Sequence, residues 1–210
     1  MFSEFAKVSS ATWGVIVALL LVGIVVFAVS KDKKRWTARM LANGALCIAL
    51  STVLSFITLY KMPQGGSITL ASMLPMFLFA YAYGVGPGML VGAAYGFVQF
   101  LQGGLYFVHP VELLLDYPLA FAMLGLAGLS NKFSDQWGMI PGIILGTFGR
   151  FVCAFLSGLI FFGMYAPEGQ NVVIYSMVYN GLYLVPEAII CIVLALIPQI
   201  RQLAKRLALQ

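Results

Sequence analysis

Four ionisable residues sit where an apolar chain has little reason to keep them. Glu112 and Asp116 stand four apart in "VELLLDYP", so on a helix they share one face. Arg150 lies in "GTFGRFVCAF" and Glu187 in "YLVPEAII", both flanked by apolar residues. Charges in such surroundings are costly, and by default they mark function. Ser176, Asn180, Tyr183 and Glu187 add a polar stripe at helical spacing. Two readings of Asp116 and Arg150 compete. They neutralise each other inside the fold, as buried charges usually do, or they line a cavity that solvent reaches. Aromatic residues at Phe161, Phe162, Tyr165 and Tyr175 give the second reading a ligand class. A carboxylate supplies charge complementarity, rings supply stacking and cation–π contact, and Asn180 supplies a donor and an acceptor. Together they suit a small, flat, polar or cationic heteroaromatic molecule.

Catalytic chemistry has less to work with. His109 is the only histidine, and in "VHPVE" it reads as a turn residue before Pro110. Cys47, Cys153 and Cys191 each fall within an apolar run, at spacings that suit neither a metal site nor a disulfide frame, so they read as packing residues. No metal-ligand cluster and no nucleotide-binding loop occurs in the sequence, so no cofactor or metal is expected. A chain without a nucleotide loop cannot hydrolyse ATP itself; uphill transport would need ions or a partner ATPase. Two rivals stand beside ligand binding. One is a membrane enzyme using Asp116 and Glu187 as acid and base; the other is an assembly protein that packs by small residues alone.

The elements that must position these groups are membrane spans. Of 210 residues, 61% are hydrophobic and only 9% charged, more apolar surface than a soluble domain can hide. Seven helical spans are expected: about 12–30, 37–60, 71–84, 88–103, 110–130, 139–164 and 172–198. "KMPQGGS", "GVGPG", "QGGLYFVHP", "SNKFSDQWG" and "YAPEGQN" connect them, rich in helix-breaking Gly and Pro. The net charge of +5 reflects topology, not nucleic acid. Lys31, Lys33, Lys34, Arg35 and Arg39 form one cluster, Arg201, Lys205 and Arg206 another, and Lys132 lies mid-chain. Placing those nine of the twelve basic residues in the cytoplasm puts the C-terminus inside and "KMPQGGS", "QGGLYFVHP" and "YAPEGQN" outside. The first apolar run has its basic flank after it, which favours a real span over a signal peptide.

Small residues recur at helical steps. Gly88, Gly92 and Gly96 allow close helix contact and read as plain packing. Ala38, Ala42, Ala45 and Ala49 form a second small-residue face. It suits packing within the bundle and docking of an external partner equally.

Four ordered segments carry a resemblance: "MPQGGSITLASMLPMFLFAY", "HPVELLLDYPLAFAMLGLAG", "SGLIFFGMYAPEG" and "YSMVYNGLYLVPE". Over roughly residues 37–200 the chain resembles the thiamine-specific substrate-binding (S) component of energy-coupling factor transporters. The resemblance implies an all-α polytopic membrane protein with a six-helix fold over 37–210. Residues 1–36 would then be an extra transmembrane helix and a basic linker. It implies high-affinity capture of thiamine from outside a prokaryotic cell membrane. Delivery would follow docking on one membrane coupling protein and two ATPases, through a face to which Ala45 and Ala49 correspond. The ligand residues it implies are Asp116, Tyr117, Arg150, Phe162, Tyr175 and Asn180. The loop Pro63, Gln64, Gly65, Gly66, Ser67 would be a lid. Where the family usually has a histidine four residues after the basic one, this chain has Ala154. That departure keeps a thiamine precursor or analogue, a pyrimidine or thiazole compound, as an alternative ligand.

Overall fold

Apolar periodicity sets most of the architecture. The structure, a computed structural model, describes residues 36–103, 109–132 and 138–208. The expected span at 12–30 and the basic residues at 31–35 lie outside the described residues.

The first helix, α1, runs Ala38–Phe56; Thr37 caps it by accepting a hydrogen bond from the Met40 N–H at 3.2 Å. The sequence places the end of this span at residue 60. The chain instead turns into a strand, β1 (Thr58–Lys61), which pairs antiparallel with β2 (Ser67–Thr69). The "TLYK" side chains favour extended backbone. Pro63 and a left-handed Gly65 (φ 101°) then turn the chain back at once. The fold is therefore mostly helical, with one short hairpin that the helical reading lacks.

Helix α2 (Leu74–Tyr83) is apolar on every side, and all ten residues are buried. It forms the centre of the largest core cluster. Gly84, at φ 95°, ends it, and α3 begins immediately at Val85 and runs to Gln102. "GVGPG" is thus a one-residue break and not a loop. Pro87 falls in the first turn of α3, where its missing N–H costs nothing.

Helix α4 (Pro110–Ser130) packs against α3 along the glycine stripe. A Cβ on Gly88 would meet Gly125, one on Gly92 would meet the Phe121 carbonyl, and one on Gly96 the Tyr117 carbonyl. Steps of four up α3 match steps of four down α4, so the two backbones touch where only glycine fits.

Helices α5 (Ile140–Phe161) and α6 (Val172–Ala195) follow, joined through a tight turn at Gly163–Tyr165. The last expected span, 172–198, stops at Ala195. A separate helix, α7 (Pro198–Ala208), continues the chain. It is amphipathic: Ile200, Ala204 and Leu207 pack on the core while Lys205 and Arg206 stay exposed.

Four described helices, α1, α4, α5 and α6, are long and apolar enough to cross a membrane. Their outer faces carry exposed Leu, Val, Ile and Phe, as lipid contact demands. Ala38, Ala42, Ala45 and Ala49 are exposed too, whereas Met40, Gly44, Cys47 and Ser51 turn inward. The alanine face of α1 is not used for packing within the described fold.

Candidate functional site

The local break in α4 comes first. Its opening turn is a closed capping box. The His109 Nδ1 accepts from the Val111 N–H at 3.1 Å, and the Glu112 carboxyl accepts from the His109 N–H at 3.4 Å. His109 also stacks on the buried Phe161, with centroids 5.4 Å apart, so both rings serve packing. One turn further on, Pro118 has no N–H to give, and residues Leu115–Leu119 widen into a π turn. Such turns re-aim side chains and recur at functional sites. Here it presents Asp116 and Tyr117 to a cavity of about 550 Å³.

All six residues named from the sequence as ligand residues line that cavity: Asp116 and Tyr117 from α4, Arg150 from α5, Phe162 just beyond it, and Tyr175 and Asn180 from α6. The hairpin turn Pro63, Gln64, Gly65, Gly66, Ser67 lines it as well, as does Lys61. Gly103, at the end of α3, and Tyr165 border the same space. Described residues at the edges of three loops expected on one side, within 61–67 and at Gly103 and Tyr165, thus border one cavity.

Asp116 and Arg150 form no ion pair with each other. The Asp116 Oδ2 accepts from the Ser157 hydroxyl at 2.8 Å. The Arg150 guanidinium lies over the Phe121 ring, 4.0 Å from its centroid. Each charge is held in place by a neutral partner and still faces the cavity. Glu112 lines the cavity beside Asp116, so two carboxyls meet at one wall. Carboxyls so close favour a cationic group beside them.

The aromatic wall comes from the turn after α5 and from α6. Phe162 and Tyr165 stack at 6.0 Å, and Tyr175 and Tyr179 stand 5.9 Å apart. Asn180 is largely spoken for. Its amide donates to the Ala154 and Ser176 carbonyls at 3.2 and 2.9 Å, and its oxygen accepts from the Tyr183 hydroxyl at 2.9 Å. Gly158 lets α6 approach this closely, because a Cβ there would strike the Ser176 hydroxyl. Ala154 lines the cavity with a methyl group only.

Glu187 departs from the sequence reading. It is 2% exposed and does not line the cavity. It accepts from the Thr69 and Ser72 hydroxyls at 2.6 and 2.8 Å. The polar stripe of α6 thus divides: Ser176, Asn180 and Tyr183 border the cavity, and Glu187 ties down the chain after β2. An acid–base pair of Asp116 and Glu187 has no shared space in which to act. Ser157, Phe121 and Tyr179 are cavity residues that the sequence reading passed over. For Tyr179 a signal existed, since tyrosines recur at 175, 179 and 183.

Comparison with known proteins follows the same outline. The family model described as thiamine transporter protein (Thia_YuaJ) matches residues 41–207. The thiamine transporter ThiT of Bacillus subtilis (strain 168) is 37% identical over 167 residues, 73% of this chain and 86% of that protein. ThiT of Lacticaseibacillus paracasei is 32% identical over 123 residues, 52% of this chain and 61% of its own. A solved structure of ThiT from Listeria monocytogenes superposes with a TM-score of 0.67 at 26% identity, covering 80% of this chain and 93% of that one.

Proposed function

The chain belongs to the thiamine transporter family, and from that premise we propose that it takes thiamine into the cavity beneath the Pro63–Ser67 turn. It is a multi-pass membrane transport protein and not an enzyme. The observation that carries the site reading is convergence. Asp116, Arg150 and the rings Phe162, Tyr165 and Tyr175, drawn from α4, α5, α6 and the turn between the last two, share one cavity. Its size suits a small vitamin.

Thiamine joins an aminopyrimidine to a cationic thiazolium. The carboxyls of Asp116 and Glu112 complement the cationic or amino-bearing ring. Tyr117, Phe162 and Tyr175 offer stacking faces, and Arg150 offers donors. Asn180, already bonded within the protein, holds α5 and α6 together beneath the ligand. The hairpin turn is the lid.

The finer reading is that of an S component of an energy-coupling factor transporter. Residues 37–210 are the substrate-binding domain, and 1–36 an additional helix and basic linker. The cavity opens outward, and the C-terminus lies in the cytoplasm by the charge rule. The exposed Ala45 and Ala49 support a docking face for the membrane coupling protein, which brings two ATPases. Ala154 favours a second reading of the ligand alone, a thiamine precursor or analogue, because it puts only a methyl group on the cavity wall where the family usually has a histidine ring.

Calorimetry on the detergent-purified protein tests both, with thiamine as titrant and the separate pyrimidine and thiazole moieties as competitors. Tight thiamine binding that neither moiety displaces is expected. Binding of one moiety in preference to thiamine moves the substrate, and binding of none removes the cavity reading.

A further inference from the structure

One face of α6 grips the hairpin at three heights. Tyr179, Tyr183 and Glu187 recur at four-residue steps and so project together. The Tyr179 hydroxyl accepts from the backbone N–H of Gln64 at 3.1 Å and of Gly66 at 3.4 Å. The Tyr183 ring lies directly against Gly66, where an added Cβ would come within 2.7 Å of it. Glu187 holds Thr69 and Ser72 at 2.6 and 2.8 Å.

The three grips are unequal. The Glu187 bonds are short and sealed from water, in surroundings where breaking them strands buried polar groups. Ala71, between the two hydroxyl residues, is held at a positive φ of 58°, a conformation that persists only where the surroundings fix it. The Tyr179 bonds are longer, and its side chain is only half-buried. At the tip, the Met62 N–H bonds to the Gly66 carbonyl at 2.7 Å, so the turn is internally closed and can move as a unit. A segment fixed strongly at one end and weakly at the other opens at the weak end.

We propose that Tyr179 is the latch of the lid. Opening breaks its two bonds to the backbone of Gln64 and Gly66, while the Thr69–Ser72 end stays clamped on Glu187 as the hinge. Tyr179 acts as a positioning residue through the lid. Because it bonds backbone, the latch is indifferent to the side chains of the turn. The proposal rests on the reading of the cavity as the thiamine site.

The test is to measure association and dissociation of labelled thiamine on purified wild type, Tyr179→Phe and Asp116→Ala, with melting curves recorded without thiamine. Tyr179→Phe removes the hydroxyl and keeps the ring. Thiamine should leave it about tenfold faster, in line with the loss of two weak hydrogen bonds. Association should be no slower, and the ligand-free melting temperature should drop only slightly, because the bonds lie at a half-exposed turn. A merely structural role would lower the melting temperature and leave dissociation unchanged. If dissociation stays within twofold of wild type while Asp116→Ala cannot bind, the latch is overturned and the cavity stands. If Asp116→Ala binds as tightly as wild type, the cavity reading falls and the latch with it.

Discussion

Asp116 and Glu187 are both acids within apolar helices, yet the two regions around them use a carboxyl in opposite ways. Around Glu187 the protein walls it in. Two hydroxyls, from the end of the hairpin and the chain just after it, converge on Oε1, and the residue is buried away from the cavity. Around Asp116 the protein leaves the group facing open space. The Ser157 hydroxyl fixes one oxygen, the Glu112 carboxyl stands beside it, a π turn aims the group, and a cavity lies in front. An acid inside a span is therefore not a site by virtue of burial. The decisive question is whether the acid is enclosed by the fold or lines a cavity.

The largest effect that can break this comparison is on binding. Asp116→Ala should weaken thiamine binding several-hundredfold, about 3–4 kcal/mol, the scale for removing one partner of a buried charged contact. Its melting temperature without ligand should be close to wild type, because little of the fold depends on that carboxyl. Equal affinity in the variant, measured by calorimetry, would overturn the reading of the cavity as the thiamine site.

Glu187→Ala should show the reverse pattern at a somewhat smaller scale. Thr69 can still donate to the Ser72 hydroxyl at 2.7 Å, but Ser72 loses its acceptor and a void opens, together costing about 2–3 kcal/mol of stability. The three free cysteines are buried, so a thiol-reactive dye reports unfolding directly. A melting temperature equal to that of Asp116→Ala would mean the two acids do not differ as their partners suggest.

Most of the helical frame was legible in the sequence, because long apolar runs admit few alternatives. The hairpin was not. β1 has four residues and β2 three, and "TLYK" directly continues the apolar run of α1. Nor was α7 read, since a basic, amphipathic stretch of eleven residues looks like a tail until its apolar face has something to cover. The residues singled out for the site, Asp116, Tyr117, Arg150, Phe162, Tyr175 and Asn180, do come to one cavity. Charge in apolar surroundings and the motif resemblance both pointed there. What the sequence could not disclose is partner choice. Nothing in "VPEAII" says that Glu187 faces Thr69, more than a hundred residues earlier. Nothing in "FLSGL" sets Ser157 apart from any other helix serine. Tyr179 was hidden for the opposite reason: a tyrosine among tyrosines reads as wall.

Ser157 supplies the finest test of the contrast, because it is the one contact that makes Asp116 resemble Glu187. It is 1% exposed and donates to Asp116 Oδ2 at 2.8 Å from the facing helix. If that bond serves mainly to orient the carboxyl toward the cavity, Ser157→Ala loses preorganisation and not charge. Thiamine affinity should then fall about fivefold, about 1 kcal/mol, the net contribution of a single hydrogen bond. The acid can still turn to water in the cavity, so its removal from the fold's bonding should cost little stability. A loss as large as that of Asp116→Ala would mean that Ser157 contacts the ligand itself. A melting temperature lowered as far as in Glu187→Ala would mean that Asp116, like Glu187, is part of the fold's own bonding.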